Sequence, residues 1–63
     1  MKHSNSLHVA AEKGYTRVVE LVLKRGFTKL LTYSNEKDQY PVQVALEREH
    51  YDIAAVMLRA MND

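Results

Sequence analysis

A repeat with an offset of 35 residues is the feature that most constrains the fold of this chain. Residues 5–11 (NSLHVAA) align with residues 40–46 (YPVQVAL), and the same offset holds further along both segments. It pairs Val18 and Val19 with Ile53 and Ala54, and Leu21, Val22 and Leu23 with Val56, Met57 and Leu58. Because small or apolar residues fall on matching positions, the sequence predicts one structural unit used twice.

The first unit has the pattern of two short helices separated by a glycine. Asn5 is a suitable N-cap for a helix over residues 6–13, and Gly14 can adopt the left-handed conformation that ends one. A second helix is predicted over residues 16–25, ending before Gly26. Four residues on one side of this helix follow the i, i+3, i+4, i+7 spacing, and two further residues widen the stripe that they form. The stripe is Val18, Leu21, Val22 and Arg25, widened by Val19 and Leu23.

The second unit repeats this plan with different end signals. Pro41 is suited to the first position of a helix that runs to about Arg48, because its φ is preset and it has no amide hydrogen to leave unpaired. Asp52 then falls in the first turn of the last helix, where a negative charge is favourable. The stripe predicted to be buried there is Ile53, Val56, Met57, Ala60 and Met61.

Residues 27–39 connect the two units. Residues 30–33 (LLTY) have some strand character, and the polar residues 34–38 (SNEKD) are typical of a turn. Two segments this short could not form an independent sheet, so a projecting loop is the favoured interpretation.

Composition and charge limit the functions open to this chain. It has 63 residues, and a chain of that length buries only about 60% of its unfolded surface. It contains no cysteine, so no disulfide framework is expected. Residues 1–31 carry six basic and two acidic residues, whereas residues 32–63 carry three basic and six acidic residues. Because the basic residues are scattered without interleaved aromatic residues, no nucleic-acid partner is expected.

The sequence also bears on location. No apolar run approaches the roughly 18 residues that a membrane span requires, so no direct membrane insertion is expected. The first six residues (MKHSNS) have no apolar stretch behind them that could serve as a signal peptide. The expected location is intracellular and cytoplasmic, or the cytoplasmic side of a membrane protein.

Residues 5–26 (NSLHVAAEKGYTRVVELVLKRG) resemble the ankyrin repeat over nearly its whole length. The family pattern is a T-P-L-H start, two alanines, a glycine turn, a paired-valine helix and a closing glycine. Residues 40–43 (YPVQ) match the same start, keeping the proline and losing the histidine. Glu49 and Asp38 stand where the family has glycines, and the spacing of 35 exceeds the usual period of about 33. The second unit is therefore atypical, as terminal repeats often are.

The resemblance implies an all-α fold, a fragment of an ankyrin-type solenoid with two stacked helix–turn–helix units joined by a projecting loop. Residues 1–26 would form the first repeat, residues 27–39 the loop and residues 40–63 the second repeat. His8 would bond backbone across the loop between repeats. The residues that would carry the structural motif are His8, Ala10, Ala11, Gly14, Gly26, Pro41 and Ala45.

Candidate catalytic and metal sites are weak. His3, His8 and His50 have no cysteine beside them, so they make a poor zinc set. Glu47 and Glu49 are two residues apart, so they would face different ways on a helix. No nucleophile motif or phosphate-binding glycine loop is present in the sequence. The chain is predicted not to be an enzyme, with no cofactor and no metal.

Protein partners are the expected ligands. In the ankyrin family, partners usually bind the loop tips and the exposed side of the first helix of each repeat. Tyr33 is a further candidate because it lies in the predicted loop and tyrosine is favoured at interfaces. The predicted contacts are Ser4, Glu12, Lys13, Tyr33, Glu36, Lys37, Gln39, Glu47 and Arg48.

Two functions follow from this resemblance. The first is a protein-interaction or scaffolding segment, and the second is part of the cytoplasmic ankyrin array of a channel of the transient receptor potential type. Because solenoids usually need three or more repeats, the chain is expected to be a segment of a longer array. Neighbouring repeats of the parent chain, or self-association through uncapped ends, would then cover its exposed faces.

Overall fold

A computed structural model describes residues 4–62 of the chain. Four α-helices follow one another: α1 (Ser6–Lys13), α2 (Thr16–Lys24), α3 (Pro41–Glu47) and α4 (Tyr51–Asn62). A short 3₁₀ helix, Thr28–Thr32, lies between α2 and α3. No strand occurs among the described residues, so the predicted all-α class is confirmed.

The side chain of Asn5 caps the N-terminus of α1. Its Oδ1 accepts from the amides of Leu7 at 2.9 Å and His8 at 3.3 Å. In return, the Asn5 amide donates to Nδ1 of His8 at 3.1 Å, which completes a capping box. At the other end, Gly14 has φ 77° and its amide bonds to the Ala10 carbonyl. Both predicted ends of α1 are confirmed.

Helix α3 starts with the same device at the equivalent position. Gln43, 35 residues after His8, accepts the amide hydrogen of Tyr40 on its Oε1 at 2.8 Å. Pro41 occupies the first turn and is buried, as predicted for a residue whose missing amide hydrogen costs nothing there. The histidine and the glutamine therefore make the same capping contact in the two halves.

Left-handed backbone marks the ends of the helices and the turn of the loop. Within residues 4–62, φ is positive at four residues: Gly14, Gly26, Asp38 and Glu49. The last two stand where the ankyrin pattern has glycine, and they have φ values of 62° and 61°. The amides that follow Gly14 and Glu49 both donate to the carbonyl five residues back, so the two turns share one closing hydrogen bond.

The buried side of α2 differs from the predicted stripe. Val19 is fully buried and Val22 and Leu23 are half-buried, whereas Val18 and Leu21 are exposed. Arg25 follows the helix as its C-cap and is exposed. Apolar residues occupy a wide arc of this helix, and its contacts with α1 and α4 decide which part of that arc is buried.

The connecting segment is more structured than the predicted loop. Leu31 lies in the 3₁₀ helix and is buried in the core, and this short helix packs against α4. The strand character of residues 30–33 is therefore overridden, since a strand would have no partner here. Only the stretch after Thr32 forms a loop.

In α4, Ile53 and Met57 are buried as predicted, but Met61 is exposed.

The helices pack as two pairs with contacts between the pairs. Helix α1 contacts α2 and α3, and α4 contacts α2 and α3. Alanine at four core positions allows the helix backbones to approach closely. The core consists of Leu7, Ala10, Ala11, Val19, Leu31, Val44, Ala45, Ile53, Ala54 and Met57.

A polar contact joins the N-terminal ends of α2 and α4. The hydroxyl of Thr16 donates to Oδ2 of Asp52 at 3.0 Å. This hydrogen bond, aided by the amide of Ile53, holds the pKa of the Asp52 carboxyl below its usual value.

None of the helices in the described range has the length and apolar character needed to cross a membrane.

Candidate partner-binding groove

A shallow groove of about 230 Å³ lies where the loop after the 3₁₀ helix meets the C-terminal turns of α1 and α3. Glu12 near the end of α1 and Glu47 and Arg48 at the end of α3 line the groove together with the loop. The residues that line the groove are Ser4, Glu12, Asn35, Glu36, Lys37, Gln39, Val44, Glu47 and Arg48.

Asn35 organises the loop that forms one wall. Its Oδ1 accepts from the amides of Lys37 at 3.0 Å and Gln39 at 2.9 Å. The Asn35 amide donates to the carbonyl of Gln39, and the amide of Asp38 donates to the carbonyl of Asn35. The Asn35 side chain is almost fully buried under the turn that it holds together. The loop tip, Glu36 and Lys37, is therefore presented on a fixed backbone.

His8 ties this loop to α1. Its Nδ1 accepts from the Asn5 amide, so the ring proton must lie on Nε2, which donates to the carbonyl of Gln39 at 2.9 Å. The ring is buried, so both nitrogens need these partners. His8 thus makes the backbone bond across the connection that the ankyrin resemblance implies. It holds one wall of the groove without lining it.

Gln39 ties the loop to α3. Its Nε2 donates to Oε2 of Glu47 at 2.6 Å, and its Oε1 accepts from Nδ2 of Asn35 at 3.4 Å. The loop is held on one side through its backbone and on the other through a side chain. This arrangement limits the freedom that a bound partner would have to remove.

Charges of both signs line the groove. Glu12, Glu36 and Glu47 are acidic, and Lys37 and Arg48 are basic. Nη2 of Arg48 lies 3.8 Å from Oε1 of Glu12, and both side chains are about half exposed. An exposed pair at this distance contributes about 0–1 kcal/mol, so either partner can exchange it for a contact with a ligand.

Most of the residues predicted from the sequence to contact a partner line the groove. Seven of the nine predicted residues line it, and Lys13 and Tyr33 do not. Both of these side chains are exposed elsewhere, at the end of α1 and directly after the 3₁₀ helix. Sequence reasoning missed Asn35 and Val44. Asparagine within a polar turn is a usual signal of a side chain bonded to the backbone, so Asn35 was open to prediction.

The residues of the predicted structural motif do not line the groove. Ala10, Ala11, Pro41 and Ala45 are buried, and an added Cβ at Gly14 would lie 2.9 Å from the His50 ring. Gly26 follows α2 with nothing within 4 Å of its missing Cβ.

The groove offers charged groups, amides and hydroxyls for recognition. Among residues 4–62, no cluster of three or more histidine, cysteine, aspartate or glutamate side chains could hold a metal ion. His8 bonds to the backbone of Asn5 and Gln39, the His50 ring lies beside Gly14, and His3 lies outside the described residues. The arrangement suits binding of a polar segment through hydrogen bonds and charge pairs.

Comparison of the chain with protein-family models, with curated proteins and with solved structures gave no match.

Proposed function

We propose that the chain is a pair of ankyrin-type repeats that binds a segment of another protein in the groove, and that it acts as an interaction segment rather than an enzyme. One observation carries the proposal: the loop wall of the groove is held in place by hydrogen bonds from Asn35, His8 and Gln39, while the charged groups that it presents remain exposed.

The ankyrin assignment has support besides the sequence resemblance. The two units begin with equivalent capping contacts, made by His8 and Gln43. Asp38 and Glu49 have the left-handed backbone that the glycines of the pattern require. The first helices of the two pairs contact each other, as do the second helices, which is the neighbour relation of a stack.

Recognition in this groove would rest on exposed charged side chains, two of which are carried on a loop whose backbone is held in place. Glu36 and Lys37 lie at the tip of the loop, and Glu12 and Arg48 lie at the opposite wall with only a weak contact between them. A bound segment with charges of both signs could pair with these groups over the apolar floor at Val44. Because the loop backbone is already held in place, binding would mainly have to order the exposed charged side chains.

The experiment is selection of peptides from a display library on the intact chain, followed by NMR mapping of a selected peptide. We expect shifted amide signals at the groove, and at least tenfold weaker binding by Arg48→Glu, equivalent to about 1.4 kcal/mol. Arg59→Glu makes the same charge change at an exposed position on α4 and should bind normally.

Shifts confined to another face, or equal binding by the Arg48 and Arg59 variants, would contradict the proposal. So would a library that yields no peptide with charges that complement those of the groove.

A further inference from the structure

Equivalent residues of the two helix pairs differ sharply in exposure at one end of the molecule. Val9 on α1 is 42% exposed, whereas its equivalent on α3, Val44, is 7% exposed. Val18 on α2 is 38% exposed, whereas its equivalent on α4, Ile53, is fully buried. In the second pair these positions lie against the first pair, whereas in the first pair nothing among residues 4–62 covers them.

The opposite end shows the reverse difference. Ala11 on α1 is fully buried, whereas its equivalent on α3, Leu46, is 47% exposed. Leu23 on α2 is half-buried against the core, whereas its equivalent on α4, Leu58, is 48% exposed. These are the positions with which the first pair meets the second.

The contact between the two pairs is therefore a template for what could cover both ends. We call the surface of Val9, Val18 and Leu21 the leading face, and the surface of Leu46 and Leu58 the trailing face. The trailing face lies on the second pair, at the repeat positions through which the first pair contacts the second. The leading face lies on the first pair, at the repeat positions through which the second pair contacts the first.

We propose that the trailing face of one copy of this chain binds the leading face of a second copy, so that the helix pairs continue in register across the contact. The inference goes beyond the proposed groove function and uses none of its residues. Such a contact joins two different surfaces, so it leaves one face open at each end and can add further copies.

Charge favours this head-to-tail order. Residues 4–31 carry five basic and two acidic residues, and residues 32–62 carry three basic and five acidic residues. Head-to-tail contact brings the positive half of one copy to the negative half of the next, whereas pairing two identical ends brings like charges together.

One difference from the template is visible at the trailing face. Leu46 stands where the first pair has Ala11, so the helices of two copies would lie further apart than α1 and α3. The second copy is not bound by a connecting loop, so its spacing can adjust to the larger side chain. Leu46 also adds apolar area to the contact.

The test uses one blocked variant for each face in sedimentation equilibrium. Val18→Glu blocks the leading face and Leu58→Glu blocks the trailing face, and both residues are exposed, so folding should survive the change. We expect the average mass of the wild-type chain to rise with concentration beyond that of a dimer. Each variant alone should be a monomer, and an equimolar mixture of the two should form a dimer that grows no further.

Controls and contrary results follow from the same design. Lys37→Glu alters the loop charge away from both faces and should associate as the wild type does. Val9→Glu and Leu46→Glu form a second blocking pair in case circular dichroism shows that a variant of the first pair has unfolded. A wild-type chain that stays monomeric at every concentration overturns the proposal. A mixture of blocked variants that stays monomeric, or a single variant that still dimerises, also overturns it.

Discussion

Replacing Glu49 by glycine should stabilise this protein. Glu49 closes α3 with φ 61°, a region in which a side chain crowds the following carbonyl. Gly14, at the equivalent position of the first pair, has φ 77° and carries no such penalty. The side chain of Glu49 is exposed, and the hydrogen bonds of this turn that involve Glu49 and His50 use backbone atoms, so the substitution leaves them intact.

The magnitude follows from two opposing terms. The left-handed conformation costs a non-glycine residue about 1–2 kcal/mol. Glycine loses more backbone freedom on folding than glutamate does, and this lowers the free energy of unfolding by about 0.5–1 kcal/mol. The net gain at Glu49 is about 1 kcal/mol or slightly less. For a chain of this size, 1 kcal/mol corresponds to a rise in melting temperature of about 4–8 °C.

Urea unfolding followed by circular dichroism measures this gain, with two controls. Glu49→Ala removes the charge but keeps the strained backbone, so its free energy of unfolding should stay close to that of the wild type. Glu20→Gly makes the same substitution inside α2, where φ is helical, and should lose about 1 kcal/mol. A Glu49→Gly variant no more stable than Glu49→Ala would refute the assignment of backbone strain to this turn.

Three further changes test other parts of the fold. Gly14→Ala should lower the free energy of unfolding by about 2–3 kcal/mol in urea melts, because it adds left-handed strain and its Cβ would meet the His50 ring at 2.9 Å. His8→Ala should cost about 2–3 kcal/mol in the same assay, because it removes a buried side chain, leaves the half-buried Asn5 amide without its partner and cuts the bond from α1 to the Gln39 carbonyl. His8→Gln should cost less. Thr16→Val should be less stable than wild type at neutral pH. Because the Thr16 hydroxyl lowers the Asp52 pKa in the folded state, that difference should shrink as the pH falls below the ordinary value of 3.8 and vanish once the pH is below the lowered pKa of the folded state. A difference independent of pH would contradict this account.

Local features of the sequence predicted where the helices begin and end. The predicted end of each helix agrees with the structure to within one residue for α1, α2 and α3. The helix-ending and helix-starting effects of Asn5, Gly14 and Pro41 act through atoms within five residues of themselves, so a local sequence pattern can reveal them. The 35-residue offset also placed Glu49 opposite Gly14, and the structure gives both a left-handed backbone.

The candidate groove was predicted only in part. Family positions placed Glu12, Gln39 and Arg48 on a shared surface, and the groove contains all three. Asn35 was missed although asparagine in a polar turn signals a side chain bonded to the backbone, and Val44 was missed because its pattern is that of ordinary core. Tyr33 was predicted from its residue type and its place in the connecting loop, and neither of these states whether its side chain lines the groove.

The sequence by itself determined a helical unit used twice, because caps and periodicity act over a few residues. Tertiary structure alone decided which side of each unit is covered. Val18 and Ile53 occupy equivalent positions, yet only Ile53 has a neighbouring pair beside it and is buried. Leu31 likewise enters the core because α4 lies next to it. Burial depends on distant neighbours, and a local apolar pattern does not specify them.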